Sequence, residues 1–186
     1  MLNSTEIKPG TCFTWENELY QCIDISLNKT AMAKMKVKVK VRVPRTGVVK
    51  ELSLIGSDQV GEAHIDKRPM IFLYDSGDSM VFMDDETYEQ IDIEKTKLDW
   101  ECNFLVPNLQ VSMMIYEGSE ILGINLPDKV ELTLTECEQA VKGNTATSAL
   151  KNAVTETGLA VKVPMFINQG ERIIVSTIDG KYCSRA

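Results

Sequence analysis

Hydrophobic residues in this chain alternate with polar ones instead of recurring every third or fourth position. From Lys36 to Val43, the valines Val37, Val39, Val41 and Val43 are interleaved with Lys36, Lys38, Lys40 and Arg42. That is the period of a strand with one apolar and one cationic face. Shorter β-branched or aromatic runs recur along the rest of the chain, among them Cys12 to Trp15, Leu19 to Leu27, Met70 to Tyr74, Met80 to Met83, Val111 to Tyr116, Val130 to Leu134, Leu159 to Val163 and Arg172 to Ser176. Each is bounded by turn residues, and no long segment holds a helical period, so the expected fold class is all-β. Asp75-Ser76-Gly77-Asp78 predicts a hairpin turn with Gly77 at positive φ. Trp15-Glu16-Asn17-Glu18 and Ile178-Asp179-Gly180-Lys181 predict two more, and one short helical turn is expected after Asp84, where acids flank Thr87-Tyr88-Glu89-Gln90.

Many short strands over 186 residues favour small closed barrels of about sixty residues each, because every unit must hide its own sheet edges. Three barrels in series are expected, spanning 1–63, 64–127 and 128–186, with joints near Glu62-Ala63 and Leu126-Pro127-Asp128. Charge divides the chain in the same places. The three segments carry net charges of +2, -9 and 0 within a total of -7. The first is therefore suited to a phosphate-rich partner, while the middle one faces away from it or meets something basic.

Between Lys29 and Lys50 stand eight lysines and arginines and no acid. Neighbouring cations on the strand face lie roughly 6–7 Å apart and repel one another unless a polyanion runs along them. Lysines also guard exposed sheet edges, but that task needs only one or two charges. A nucleic-acid backbone is the better fit, with Lys36, Lys38, Lys40 and Arg42 as the contacting residues. Farther along, Lys142 to Ser148 forms a small polar loop that could offer backbone N–H groups and hydroxyls to phosphate or sugar oxygens, or could simply connect two strands.

Catalytic chemistry has little to stand on. His64 is the only histidine, there is no nucleophile elbow, and neither GxxxxGK[ST] nor GxGxxG is present. Asp84, Asp85, Glu86 and Glu89 lack the EF-hand ligand pattern and read as a solvated acidic turn. Cys12, Cys22, Cys102, Cys137 and Cys183 are widely spread with no CxxC spacing, which fits a reduced cytoplasmic setting. No apolar run approaches membrane-spanning length. A non-enzymatic protein without cofactor or metal is expected.

The run from Arg68 to Asp84 (Arg68-Pro69-Met70-Ile71-Phe72-Leu73-Tyr74-Asp75-Ser76-Gly77-Asp78 and onward), followed by Glu86-Thr87-Tyr88-Glu89-Gln90, resembles the middle domain of bacterial translation elongation factor P. So do Gly143-Asn144-Thr145-Ala146-Thr147, Glu156-Thr157-Gly158-Leu159, Val163-Pro164-Met165-Phe166-Ile167-Asn168-Gln169-Gly170 and Arg185-Ala186 resemble its last domain, and Lys8-Pro9-Gly10 and Arg45-Thr46-Gly47 its first. The resemblance implies an N-terminal SH3-like (KOW-like) barrel and two OB-folds in an L-shaped, tRNA-like outline. It also implies a monomer that binds the ribosome beside the P-site peptidyl-tRNA and relieves stalling at consecutive prolines. The first-domain loop would reach the tRNA acceptor end, and Gly143, Asn144 and Thr145 would meet the tRNA D-arm.

Counted back without gaps from Arg45-Thr46-Gly47, that first loop falls on Lys29, Thr30, Ala31, Met32, Ala33 and Lys34. Met32 occupies the position where many family members carry a modified lysine or arginine. It offers neither an amine nor a guanidinium, and a shifted register of the loop would present Lys29 or Lys34 instead. The alternative function is an OB-type RNA-binding protein acting away from the ribosome. Such proteins stack bases on aromatics along a basic groove, whereas Phe72, Tyr74, Phe82 and Tyr88 fall in the most acidic segment.

Overall fold

The structure is a computed structural model that describes residues 1–29, 34–139 and 149–186. It is all-β, built as three sheets with only three short 3₁₀ turns among the described residues. The first sheet comprises β1 (Leu2–Asn3), β2 (Cys12–Trp15), β3 (Glu18–Asn28), β4 (Lys36–Arg42), β5 (Val49–Ile55) and β6 (Gln59–Glu62) in the order β1-β6-β2-β3-β4-β5. The second comprises β7 (Ile65–Asp75), β8 (Ser79–Asp84), β9 (Gln90–Glu94), β10 (Gln110–Tyr116) and β11 (Glu120–Asn125), ordered β11-β10-β7-β8-β9. The third comprises β12 (Lys129–Cys137), β13 (Leu150–Thr155), β14 (Ala160–Pro164), β15 (Arg172–Ser176) and β16 (Tyr182–Arg185), ordered β14-β13-β12-β15-β16.

The alternation of β4 is realised in full. Val37, Val39 and Val41 are completely buried, packed with Phe13, Tyr20, Leu54 and Val60, while the four cations between and beside them are exposed. One residue of β3 breaks the pattern. Cys22 pairs with Val41 and Asp24 with Lys40, so Ile23 bulges out unpaired. The bulge shifts the parity of β3, turning Ile25 toward the core where an unbroken strand would have turned it out.

In the third sheet β12 pairs with both β13 and β15, and β14 and β16 approach each other to close the curl. This is the strand arrangement of an OB-fold. Its core holds Leu132, Val163, Ile167, Ile173 and Val175, all fully buried.

All three hairpin turns have the chemistry their sequences foretell. Glu16 and Asn17 both take positive φ (50° and 65°), the type I′ geometry that suits a two-residue link. Gly77 sits at φ 106° with its N–H donated to Asp75 Oδ1, and Lys181 N donates to Asp179 Oδ1 in the third turn. The helical turn expected after Asp84 is a single one, closed by Tyr88 N donating to Asp84 O at 3.0 Å. Asp84 Oδ1 accepts the N–H groups of Glu86 and Thr87, as an N-cap would, but Tyr88 turns to φ 61° and no helix propagates.

The described chain forms two compact units, Met1–Arg68 with Met113–Gly123 and Pro69–Ser112 with Ile124–Ala186. In the first unit Arg45 reaches Glu120 through two parallel hydrogen bonds of 2.8 and 2.9 Å. In the second, Trp100 Nε1 donates to Thr177 O at 2.8 Å, Thr157 Oγ1 donates to Asn103 O, and Phe104 joins the core of the third sheet.

Candidate nucleic-acid interface

Strand β4 runs between β3 and β5, so its outward side chains project from the middle of a three-stranded ribbon. Lys36, Lys38, Lys40 and Arg42 are brought onto one face, opposite Asn28, Ser26, Asp24 and Gln21 on β3 and Ile55, Ser53, Glu51 and Val49 on β5. Pairing within the sheet supplies acids that the acid-free stretch itself lacks. Lys38 Nζ lies 3.1 Å from Glu51 Oε1 and Lys50 Nζ 3.8 Å from Glu18 Oε2, while Arg45 is held by Glu120. Lys50 also sits over the Tyr20 ring at 4.7 Å, and its pKa is raised by the Tyr20 hydroxyl and nearby acids. Among the described residues Lys29, Lys34, Lys36, Lys40 and Arg42 make no ion pair. They form the cationic remainder of the ribbon and its approach to the tip.

Lys29 and Lys34 are exposed at the two ends of that tip. Thr30, Ala31, Met32 and Ala33 lie outside the described residues, as do Gly143, Asn144 and Thr145. The base of the latter loop is firmly made. Glu138 Oε2 accepts Asn152 N and Oε1 accepts Asn152 Nδ2, both at 3.0 Å, and these bonds hold the Glu138 carboxyl below its usual pKa.

His64 is 86 % exposed and 3.1 Å from Asp66. All five cysteines are free thiols, and burial pushes the pKa of Cys12, Cys22 and Cys102 up, away from nucleophilic thiolate. Among the described residues no group of three His, Cys, Asp or Glu could hold a metal ion, and no helix is long and apolar enough to cross a membrane. Phe72 and Phe82 are buried against each other with centroids 5.5 Å apart, which removes two of the four aromatics named above from any base-stacking role.

Comparison with known proteins decides the family. The model for the elongation factor P KOW-like domain matches residues 3–60, that for its OB domain residues 65–123, and that for its C-terminal domain residues 130–185. The chain belongs to the elongation factor P family. Elongation factor P of Mesoplasma florum is 46 % identical over 185 residues, covering 100 % of both chains, and that of Mycoplasma mycoides subsp. mycoides is 45 % identical with the same coverage. The fold is also shared with a translation initiation factor 5A from Methanococcus jannaschii, at 24 % identity and a TM-score of 0.51 over 66 % of this chain and 92 % of that one. For an elongation factor P, the cationic ribbon sits in the KOW-like domain and the Glu138–Asn152 loop base in the C-terminal domain.

The ion pairs that trim the ribbon were the part of this site the sequence did not display. Arg45 and Glu120 are 75 positions apart, and no local spacing announces them. Glu51 stands just past the acid-free stretch, and a hairpin register between β4 and β5 would have found it.

Proposed function

We propose that this elongation factor P binds the ribosome beside the P-site peptidyl-tRNA and promotes peptide-bond formation there, relieving stalling at consecutive prolines. The observation that carries the reading is the outward row of Lys36, Lys40 and Arg42 on a strand whose other face is fully buried. A β ribbon whose four outward cations outnumber the two facing acids, Asp24 and Glu51, tracks a phosphate backbone and contributes through release of its counterions. In this reading the loop from Lys29 to Lys34 meets the tRNA acceptor end, and the loop holding Gly143, Asn144 and Thr145 meets the D-arm. The protein acts as a cytoplasmic monomer, with the three domains expected from sequence and without cofactor, metal or chemistry of its own. Its contribution is orientation of the reacting ester, for which the general scale is several kcal/mol.

Sedimentation with ribosomes over a range of salt concentrations tests the ribbon directly. Replacing Lys36, Lys40 and Arg42 together with glutamine is expected to weaken association and flatten its salt dependence by roughly 0.7–0.9 for each phosphate that is no longer neutralised. The same variant should lose acceleration of a polyproline reporter in reconstituted translation. Unchanged ribosome affinity would remove the ribbon from the mechanism.

A further inference from the structure

One exposed aromatic in the last domain is not required by the fold. Ile167 N donates to Pro164 O at 3.1 Å, which makes Met165 and Phe166 the centre of a tight turn after β14. Such positions usually hold Gly, Asn, Asp or Pro. The core is served by the next residue, since Ile167 is fully buried, whereas Phe166 leaves 60 % of its surface in solvent.

Beside the ring stands a cation fixed in place. Arg185 Cζ lies 5.4 Å from the Phe166 centroid, within cation–π range. Its Nε and Nη2 both donate to Glu171 Oε2, at 3.0 and 2.8 Å. The other oxygen of that carboxylate, Oε1, accepts Asn168 N at 3.1 Å and Asn168 Nδ2 at 3.0 Å. The guanidinium is thus locked by its edge to a carboxylate that is itself tied to the backbone.

The strand leading to this turn presents a matching surface. On the outer face of β13 and β14, Leu150 pairs with Pro164, Asn152 with Lys162 and Val154 with Ala160. Leu150 is 57 % exposed, and Lys162 makes no ion pair among the described residues. In OB-folds the second and third strands, here β13 and β14, form the face on which oligonucleotides are bound.

We propose that Phe166, backed by Arg185, is a stacking platform for an unpaired nucleotide of RNA, with Lys162 on the adjoining strand meeting its phosphate. A ring with one cation against it and a second, uncompensated one four residues away suits a base joined to a phosphate. Apolar contact with a protein would use Phe166 and Leu150 but has no need of the Lys162 cation. The proposal takes the nature of the partner from the RNA-binding reading above but uses a different set of residues, a strand and turn of the C-terminal domain instead of the β4 ribbon or the loop holding Gly143, Asn144 and Thr145.

Fluorescence anisotropy with a labelled single-stranded hexanucleotide RNA tests it. The full chain carries K36Q, K40Q and R42Q so that the β4 ribbon cannot supply the binding. Phe166→Leu keeps an apolar side chain on an exposed site and is expected to weaken binding about tenfold with the salt slope unchanged, because stacking releases no counterions. Lys162→Gln is expected to weaken binding and lower the slope by about 0.7. Absence of RNA binding before the Phe166 change, or equal binding after it, overturns the platform. A photoreactive phenylalanine at position 166, irradiated on ribosomes, should join to RNA; adducts on ribosomal protein alone also overturn it. Failure of the β4 variant to lose ribosome association bears on the function proposed above and leaves the hexanucleotide result standing on its own.

Discussion

Lys38 and Lys40 occupy equivalent places in the pattern of β4, yet they offer different charge to a partner. Glu51 is directly opposite Lys40 in register but makes its ion pair diagonally with Lys38. Lys40→Gln is therefore expected to reduce ribosome affinity and its salt slope more than Lys38→Gln, because the Lys38 ammonium is already partly neutralised by Glu51; equal slopes in the two variants would contradict this ranking. A second residue-scale expectation concerns Glu171, whose carboxyl is held below its usual pKa first by Arg185 and then by Asn168. A lowered folded value means that the stabilisation is complete above the unfolded carboxylate pKa of about 4.3 and disappears as pH falls through the folded value. The melting temperature of Glu171→Gln should lie below that of the unaltered chain at pH 6–7, and the gap should narrow as pH falls below the unfolded carboxylate value. A constant gap across that range would mean that the charge is not what matters at this site.

At the scale of single strands, the sequence was most legible where structure is decided locally. The valine–lysine alternation placed β4 and its two faces, and Asn17, Gly77 and Gly180 marked turns because positive φ is cheap for those residues. The acids around Thr87-Tyr88-Glu89-Gln90 marked the single turn after Asp84, which the left-handed residue Tyr88 ends. Legibility failed where a partner was distant or one residue changed the outcome. Ile23 looks like any strand residue, and nothing local says that it will bulge. The Phe166 platform is invisible to alternation for a related reason, since turn residues have no period. The buried face of β4 gives a quantitative expectation. Val39 is fully buried at the centre of the strand, and Val39→Ala should lower unfolding free energy by about 1–3 kcal/mol in a denaturant titration. Because β4 is the strand that carries the cations, partial loss of ribosome association should accompany the loss of stability as temperature rises, and not before.

On the scale of the whole molecule, what matters is which stretches of chain fold as one. Phe104 lies 26 residues before Val130 yet is fully buried in the core with it, and it meets Trp100 edge-on at 5.2 Å. Phe104→Ala should cost about 3–5 kcal/mol, and amide exchange should quicken in β8, β9 and β12 to β16 together while β2 to β5 keep their protection. Exchange confined to the residues beside Phe104 would argue against a single cooperative unit there. The other unit is discontinuous, because Met113–Gly123 belongs with Met1–Arg68. Synthesis proceeds from the N-terminus at roughly 5–20 residues per second, so Arg45 waits about 4–15 s before Glu120 is made. A factor that serves translating ribosomes is thus itself held in an unfinished state while it is being translated, with its cationic strand made and part of its own unit still to come.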